Sequence, residues 1–336
     1  MYLNSASSEQ NALPSLGTQK KLTWKELVKQ QADNGKLKGA TCAVYSKNVD
    51  DIVDKETQCI CGRLPRQHSF TGKPKPKFRN AQKWTSKLAA IVDVTQYGQL
   101  ENGARFIRCD TENDTFETLG QIIVKDVGAK PKLLVSCYGG AEYFTMTDDL
   151  EREFMNGIGQ VAATKDVWIL TTGLNSGVSN LISQGVHRNK LLNENIWKPI
   201  VIGMSHWGTI SEYTRQVLKQ QASANGSTAS QDTVVSLDEN DTKALDKYHT
   251  HFLLLDDGRF NHYLNDDPRS KFVKTTCDQA HCHAVTIIVE GGLNTLEVIQ
   301  HDLNDQRPVV IVHGSGRLAS VLGNLLNKAG KTATIE

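Results

Sequence analysis

The chain is 336 residues long, with 39% hydrophobic and 22% charged residues. Its 38 Lys and Arg against 37 Asp and Glu leave a formal net charge of +1, which excludes a strongly cationic nucleic-acid binder and a self-repelling acidic chain. No apolar run approaches the roughly 20 residues that a membrane-spanning helix needs, and the length suits one large domain or two modest ones.

Residues 1–21 are rich in Ser, Asn and Gln, lack periodicity and show no apolar stretch of a secretory leader. They read as a mobile tail. From 22 to 86 the chain is polar, with a Lys73-Pro74-Lys75-Pro76-Lys77 run. Such a segment cannot bury a sizeable core of its own and needs a staple. Cys42, Cys59, Cys61 and His68 supply one, because three thiolates and an imidazole make the closed tetrahedral shell of a structural zinc. The competing reading is scattered reduced thiols with an ordinary surface histidine, since seven cysteines with no visible export signal do not suggest a disulfide framework.

From residue 87 the character changes. Runs of Val, Ile and Leu without polar alternation predict strands at Ala89–Val94, Arg105–Cys109, Lys132–Tyr138, Val167–Thr171, Ile200–Met204, Phe252–Leu255, Val285–Val289 and Val309–Val312, each buried on both faces. Helical spacing predicts Phe116–Val127, Asp148–Thr164, Val178–Arg188, Pro268–Thr276, Thr295–Leu303 and Leu318–Lys328 between them. The alternation gives an α/β fold, a mostly parallel sheet covered by helices, filling 87–336, with a small zinc-stapled segment before it. A Ser/Gln/Asn-rich insertion predicts a mobile loop at about 220–245.

Four strands run into glycine turns at the edge where open α/β sheets bind ligands. These hold Gly139 and Gly140; Thr171, Thr172 and Gly173; Gly291 and Gly292; and Gly314, Ser315 and Arg317. Backbone amides there suit a phosphate, and Arg317 adds a forked cation. Tyr263 offers a stacking face, and Arg269 lies near a helix start as a phosphate or ribose partner. Plain turn chemistry is the other reading of these glycines. No Walker loop and no full Gly-x-Gly-x-x-Gly is present. Asp256-Asp257 reads as a turn device, Trp168 and Trp207 as packing residues, and Cys277, His281, Cys282 and His283 as an exposed connection.

The ordered motifs VSCYGGAEYF, VWILTTG, GMSHWGTI, HFLLLDDG, VEGGLNTLE and VVIVHGSGR resemble the N-terminal cytoplasmic region of melastatin-type transient receptor potential (TRPM) cation channels. The resemblance runs from about Cys42 to the C-terminus, and the Cys-x-Cys-Gly…His element at residues 59–68 belongs to it. It implies a Rossmann-like nucleotide-sensor fold in a tetrameric channel, on the cytoplasmic side of the plasma membrane, with no nucleic-acid partner and no direct membrane contact from this segment. It also implies ADP-ribose as ligand, coupled to gating, with Thr171, Tyr263, Arg269 and Arg317 at pocket positions. Thr172 stands where the family pattern has Gly, and the Tyr263–Arg269 spacer differs from the usual one. The wider superfamily includes phosphoribohydrolases with a Pro-Gly-Gly-x-Gly-Thr-x-x-Glu motif. Here it reads Glu290 to Glu297 and lacks the Pro and the later Gly. An N-glycosidase using Glu297 and a channel assembly scaffold that binds nothing are the alternatives; the expectation is a non-enzyme.

Overall fold

The computed structural model describes residues 21–42, 47–53, 56–59, 89–92, 96–111, 113–140, 146–193, 197–223, 237–238, 240–257 and 263–332. In chain order the elements are α1 (Trp24–Asp33), β1 (Gly39–Cys42), β2 (Lys47–Val53), β3 (Glu56–Cys59), β4 (Ala89–Val92), β5 (Gln96–Gln99), β6 (Arg105–Cys109), α2 (Asn113–Val127), β7 (Leu133–Gly139), α3 (Asp148–Ala163), β8 (Val167–Thr171), α4 (Gly177–Leu192), β9 (Ile200–His206), α5 (Glu212–Ser223), β10 (His251–Leu255), α6 (Asp266–Ala280), β11 (His283–Val289), α7 (Thr295–Asn304), β12 (Val309–Val312) and α8 (Arg317–Thr332).

The main sheet runs β12-β11-β7-β8-β9-β10-β6-β5. Its pairs are parallel except β5 with β6. Alternate side chains enter opposite layers, which is why the strands read as continuous apolar runs. Leu134, Trp168, Leu170, Ile202, Met204, Leu253 and Leu255 pack with α1, α2 and α6. Val135, Cys137, Val167, Ile169 and Val201 pack with α3 and α4. Phe106, Phe252 and Leu254 meet Trp207, Ile210 and Leu218 on the α5 side. Trp168 and Trp207 are both buried packing residues, and the Arg108 guanidinium lies 4.4 Å from the Trp207 ring centroid.

Several expectations change. The strand expected at Ala89–Val94 is not in the main sheet: β4 pairs antiparallel with β1 in a separate two-stranded sheet. Its run is apolar, but β5 already occupies the edge beside β6. β5 itself is the polar tetrapeptide QYGQ, which carries no strand signal. Helix α1 belongs by sequence to the polar 22–86 segment, yet Trp24, Leu27 and Val28 are buried in the core of the main sheet. The Trp24 indole donates to the Phe106 carbonyl at 3.3 Å, and a Thr23/Glu26 capping box starts the helix. Of the loop expected at about 220–245, residues 220–223 end α5, while Ala244 and Leu245 are buried beside Leu174. Residues 1–20 lie outside the described part.

The chain adds β7, β8, β9 and β10 in one direction, then returns through α6 to place β11 on the other side of β7. That reversal opens a crevice at the carboxyl ends of β7 and β11, the usual ligand position in such sheets.

Candidate functional site

A cavity of about 510 Å³ fills this crevice. The structure brings Gly139, Gly140, Thr171, Thr172, Tyr263, Arg269 and Arg317 together in its wall, although they come from four separate turns. Gly173, Gly314 and Ser315 are not in the wall. Ser205, His206, Thr209, Asn294 and Thr295 also line it; they lie within the GMSHWGTI and VEGGLNTLE motifs but were not singled out as site residues.

Two of the glycines are dictated by backbone packing. A Cβ on Gly139 would sit 2.3 Å from the Val289 carbonyl oxygen and 2.5 Å from Val178 Cγ2. Gly173, at φ +74°, lies against Gly203, where an added Cβ would meet its Cα at 2.6 Å.

The hydroxyls assigned to a ligand are engaged within the protein. Thr171 Oγ1 lies 2.7 Å from His249 Nε2 and 2.9 Å from Ser179 Oγ, and accepts from the Gly173 amide at 2.9 Å. His249 Nδ1 lies 2.9 Å from Asp246 Oδ1. Burial pushes the Asp246 carboxyl up, but the hydrogen bond from His249 and that from the Tyr248 amide hold it below its ordinary pKa. Ser315 Oγ donates to the Val312 carbonyl at 2.6 Å and accepts from the Glu290 amide at 2.8 Å, so it ties two turns together.

The sequence suggests Arg269 as a phosphate or ribose partner near a helix start. Instead its guanidinium is buried and pairs with both Asp266 and Asp302, with a further bond to Ser136 Oγ at 3.0 Å. Burial raises the Asp266 carboxyl, yet Arg269, His301 and Tyr138 bring its pKa below the usual value. Half-buried Arg108 pairs with buried Asp256, and His206 Nε2 lies 2.7 Å from Asp257 Oδ1. Asp256-Asp257 is therefore an anchor for two strand ends rather than a simple turn.

Arg317 differs. Its side chain is 67% exposed and only loosely faces Glu290, at 3.7 Å. Glu290 is buried, and its Oε2 has no hydrogen-bond partner. Both residues hold positive φ, +35° for Arg317 and +58° for Glu290, a strained backbone of the kind found at functional corners. The N-cap residues of α4, α6 and α7 (Ser176, Asn265 and Asn294) make no side-chain capping hydrogen bond. By contrast, α1 and α3 are capped by Thr23 and Thr147. Of these three helix starts, that of α7 lines the cavity through Asn294 and Thr295, and its Thr295, Leu296 and Glu297 amides donate to the Gly292, Leu293 and Asn294 carbonyls. Glu297, the alternative acid/base, is exposed on α7 and outside the cavity wall.

The side chains of the expected zinc set lie outside the described residues. Cys42 and Cys59 end β1 and β3, and Cys61 and His68 fall in an undescribed stretch. Among the described residues no group of three or more His, Cys, Asp or Glu could hold a metal ion. Nor is any described helix long and apolar enough to cross a membrane.

Residues 104–335 match the family model described as SLOG in TRPM. The chain is 28% identical over 312 residues to transient receptor potential cation channel subfamily M member 2 of Mus musculus, covering 87% of this chain and 20% of the relative. It is 30% identical over 292 residues to subfamily M member 6 of Homo sapiens, covering 79% and 14%. Against the human member 7 it is 25% identical over 301 residues, covering 81% and 16%. The chain thus spans a fifth or less of the length of these curated relatives. All three are cation channels by name, in keeping with the non-enzyme expectation.

Proposed function

The chain belongs to the SLOG family of TRPM channels, and from that premise we propose that it is a ligand-sensing regulatory region that binds ADP-ribose in the crevice between β7 and β11. The carrying observation is the convergence of an exposed Arg317, the Gly139-Gly140 and Thr171-Thr172 turns and Tyr263 on one cavity of about 510 Å³. The diphosphate lies against the exposed Arg317 in the cavity wall. A ribose or the adenine packs on Tyr263, half exposed at the cavity mouth. Binding favours one arrangement of the region and so biases a cation channel on the cytoplasmic face of the plasma membrane.

Isothermal titration with ADP-ribose, using AMP as comparison, tests this. One-to-one binding that favours ADP-ribose is expected, and Arg317→Ala should weaken it by at least tenfold, about 1.5–3 kcal/mol for one charge-assisted contact. Unchanged binding to a folded Arg317→Ala chain overturns the assignment.

A second reading has its own observation. Thr171, Arg269 and Ser315 spend their polar groups inside the protein, as in a scaffold whose turns bind nothing. That reading requires no heat and no ligand-induced rise in melting temperature.

We also propose a structural zinc at Cys42, Cys59, Cys61 and His68, since three thiolates and one imidazole match its tetrahedral preference. One equivalent of zinc in chain purified without chelator is expected by mass spectrometry. A metal-free chain with the same circular dichroism rules the zinc out.

A further inference from the structure

Cys277 and Cys282 were read above as part of an exposed connection, and the function proposed here makes no use of them. Their sulfurs lie only 3.2 Å apart, and both side chains are half-buried. The juxtaposition follows from how α6 ends. His281 adopts the left-handed conformation, φ +56° and ψ +48°, and the amides of His281 and Cys282 both donate to the Cys277 carbonyl. A helix end of this kind brings the side chain one past the left-handed residue onto the side chain one turn back. A hydrophobic contact commonly joins those two positions; here both are cysteine.

We propose that Cys277 and Cys282 form a reversible disulfide in response to a hydroperoxide, a redox modification site at the C-terminal end of α6. The sulfurs need to approach by about 1.2 Å to reach the bond length of about 2.05 Å, a shift within reach of side-chain rotation. The Cys277 thiol is raised by its hydrogen bond to Cys282 and by burial, whereas that same bond lowers Cys282. Cys282 is therefore the attacking thiolate and Cys277 the resolving thiol. Buried Arg307 partly offsets the rise by drawing the Cys277 thiol down.

The Cys282 thiolate attacks one peroxide oxygen, the S–O bond forms, the O–O bond breaks, and hydroxide leaves to become water on protonation. Cys277 sulfur then attacks the sulfenyl sulfur, the S–S bond forms, the S–O bond breaks, and the departing oxygen leaves as a second water carrying the Cys277 proton. Two thiols lose two electrons and one peroxide gains them.

The test treats the full chain with hydrogen peroxide, blocks free thiols with N-ethylmaleimide and maps peptides by mass spectrometry. Both cysteines should escape alkylation together, with a loss of about 2 Da from the peptide that carries them. Dithiothreitol should reverse it. In the native, reduced chain Cys282 should alkylate at least tenfold faster than Cys277. In Cys277→Ser, Cys282 should accumulate as a sulfenic acid captured by dimedone. Retention of two free thiols at 277 and 282 while other cysteines oxidise overturns the proposal. So does equal dimedone capture in Cys277→Ser and the unsubstituted chain. Serine matches cysteine in size, so both outcomes are read on folded protein, and circular dichroism verifies this.

Discussion

Arg269 and Arg317 both reach the same cavity, but they do different work. Arg269 reaches the wall while held between the carboxylates of Asp266 and Asp302. Removing its side chain leaves two buried acids without their cation, and Arg269→Ala should destabilise the fold by about 3–5 kcal/mol in urea unfolding. Arg317→Ala, at an exposed position, should change stability by less than about 0.5 kcal/mol. A fully stable Arg269→Ala chain contradicts the buried-pair account. Thr171→Val leaves His249 Nε2 facing a methyl group and should cost about 1–3 kcal/mol in thermal unfolding, with Thr171→Ser restoring most of it. The sequence marks Arg269 and Thr171 as cavity residues but is silent on their partners. Ser136 and His249 stand 133 and 78 positions away in the chain, and no local spacing encodes a contact formed only by the sheet.

At the level of elements, legibility follows burial. β7, β8, β9 and β10 are covered on both faces, so their apolar runs announce them. β5 is a polar edge strand, and α1 hides a three-residue anchor of Trp24, Leu27 and Val28 among charged neighbours. Their places are decided by tertiary contacts that period and propensity do not register. Glycines at strand ends were legible as a ligand edge, yet Gly139 owes its identity to close packing of β7 on β11 and α4. Gly139→Ala should therefore cost at least about 1–3 kcal/mol from overpacking, read as a lower denaturant midpoint even without ligand. Wild-type stability in Gly139→Ala with lost binding points instead to a purely ligand-facing role.

For the molecule as a whole, acid is the natural stress. His251 is buried, and burial lowers its pKa from 6.5, with Asp126 opposing. The unfolded chain takes up that proton first, so stability is complete above pH 6.5 and falls as pH drops toward the folded-state value. A second loss comes below the ordinary carboxylate range near pH 3.8, where Asp246 and Asp266, both depressed in the fold, must be protonated. Melting temperature against pH should show both stages, and His251→Gln should shrink the upper one, to which His187, also lowered by burial, contributes; a flat profile from pH 7 to 5 contradicts this.

The reversal of strand order at α6 also sets a timetable. Arg105 in β6 finds its parallel neighbour only in His251 of β10, whereas Leu133 in β7 pairs early with Val167 of β8 and only later with His283 of β11. A ribosome adds about 5–20 residues per second, so β6 waits on the order of ten seconds for β10 to emerge. During that interval the β7-β8-β9 part can assemble, while the β5-β6 hairpin stays an open edge. A nascent chain stalled before β10 is thus the species that chaperones should hold most tightly, and its release should coincide with the appearance of His251–Leu255 outside the exit tunnel.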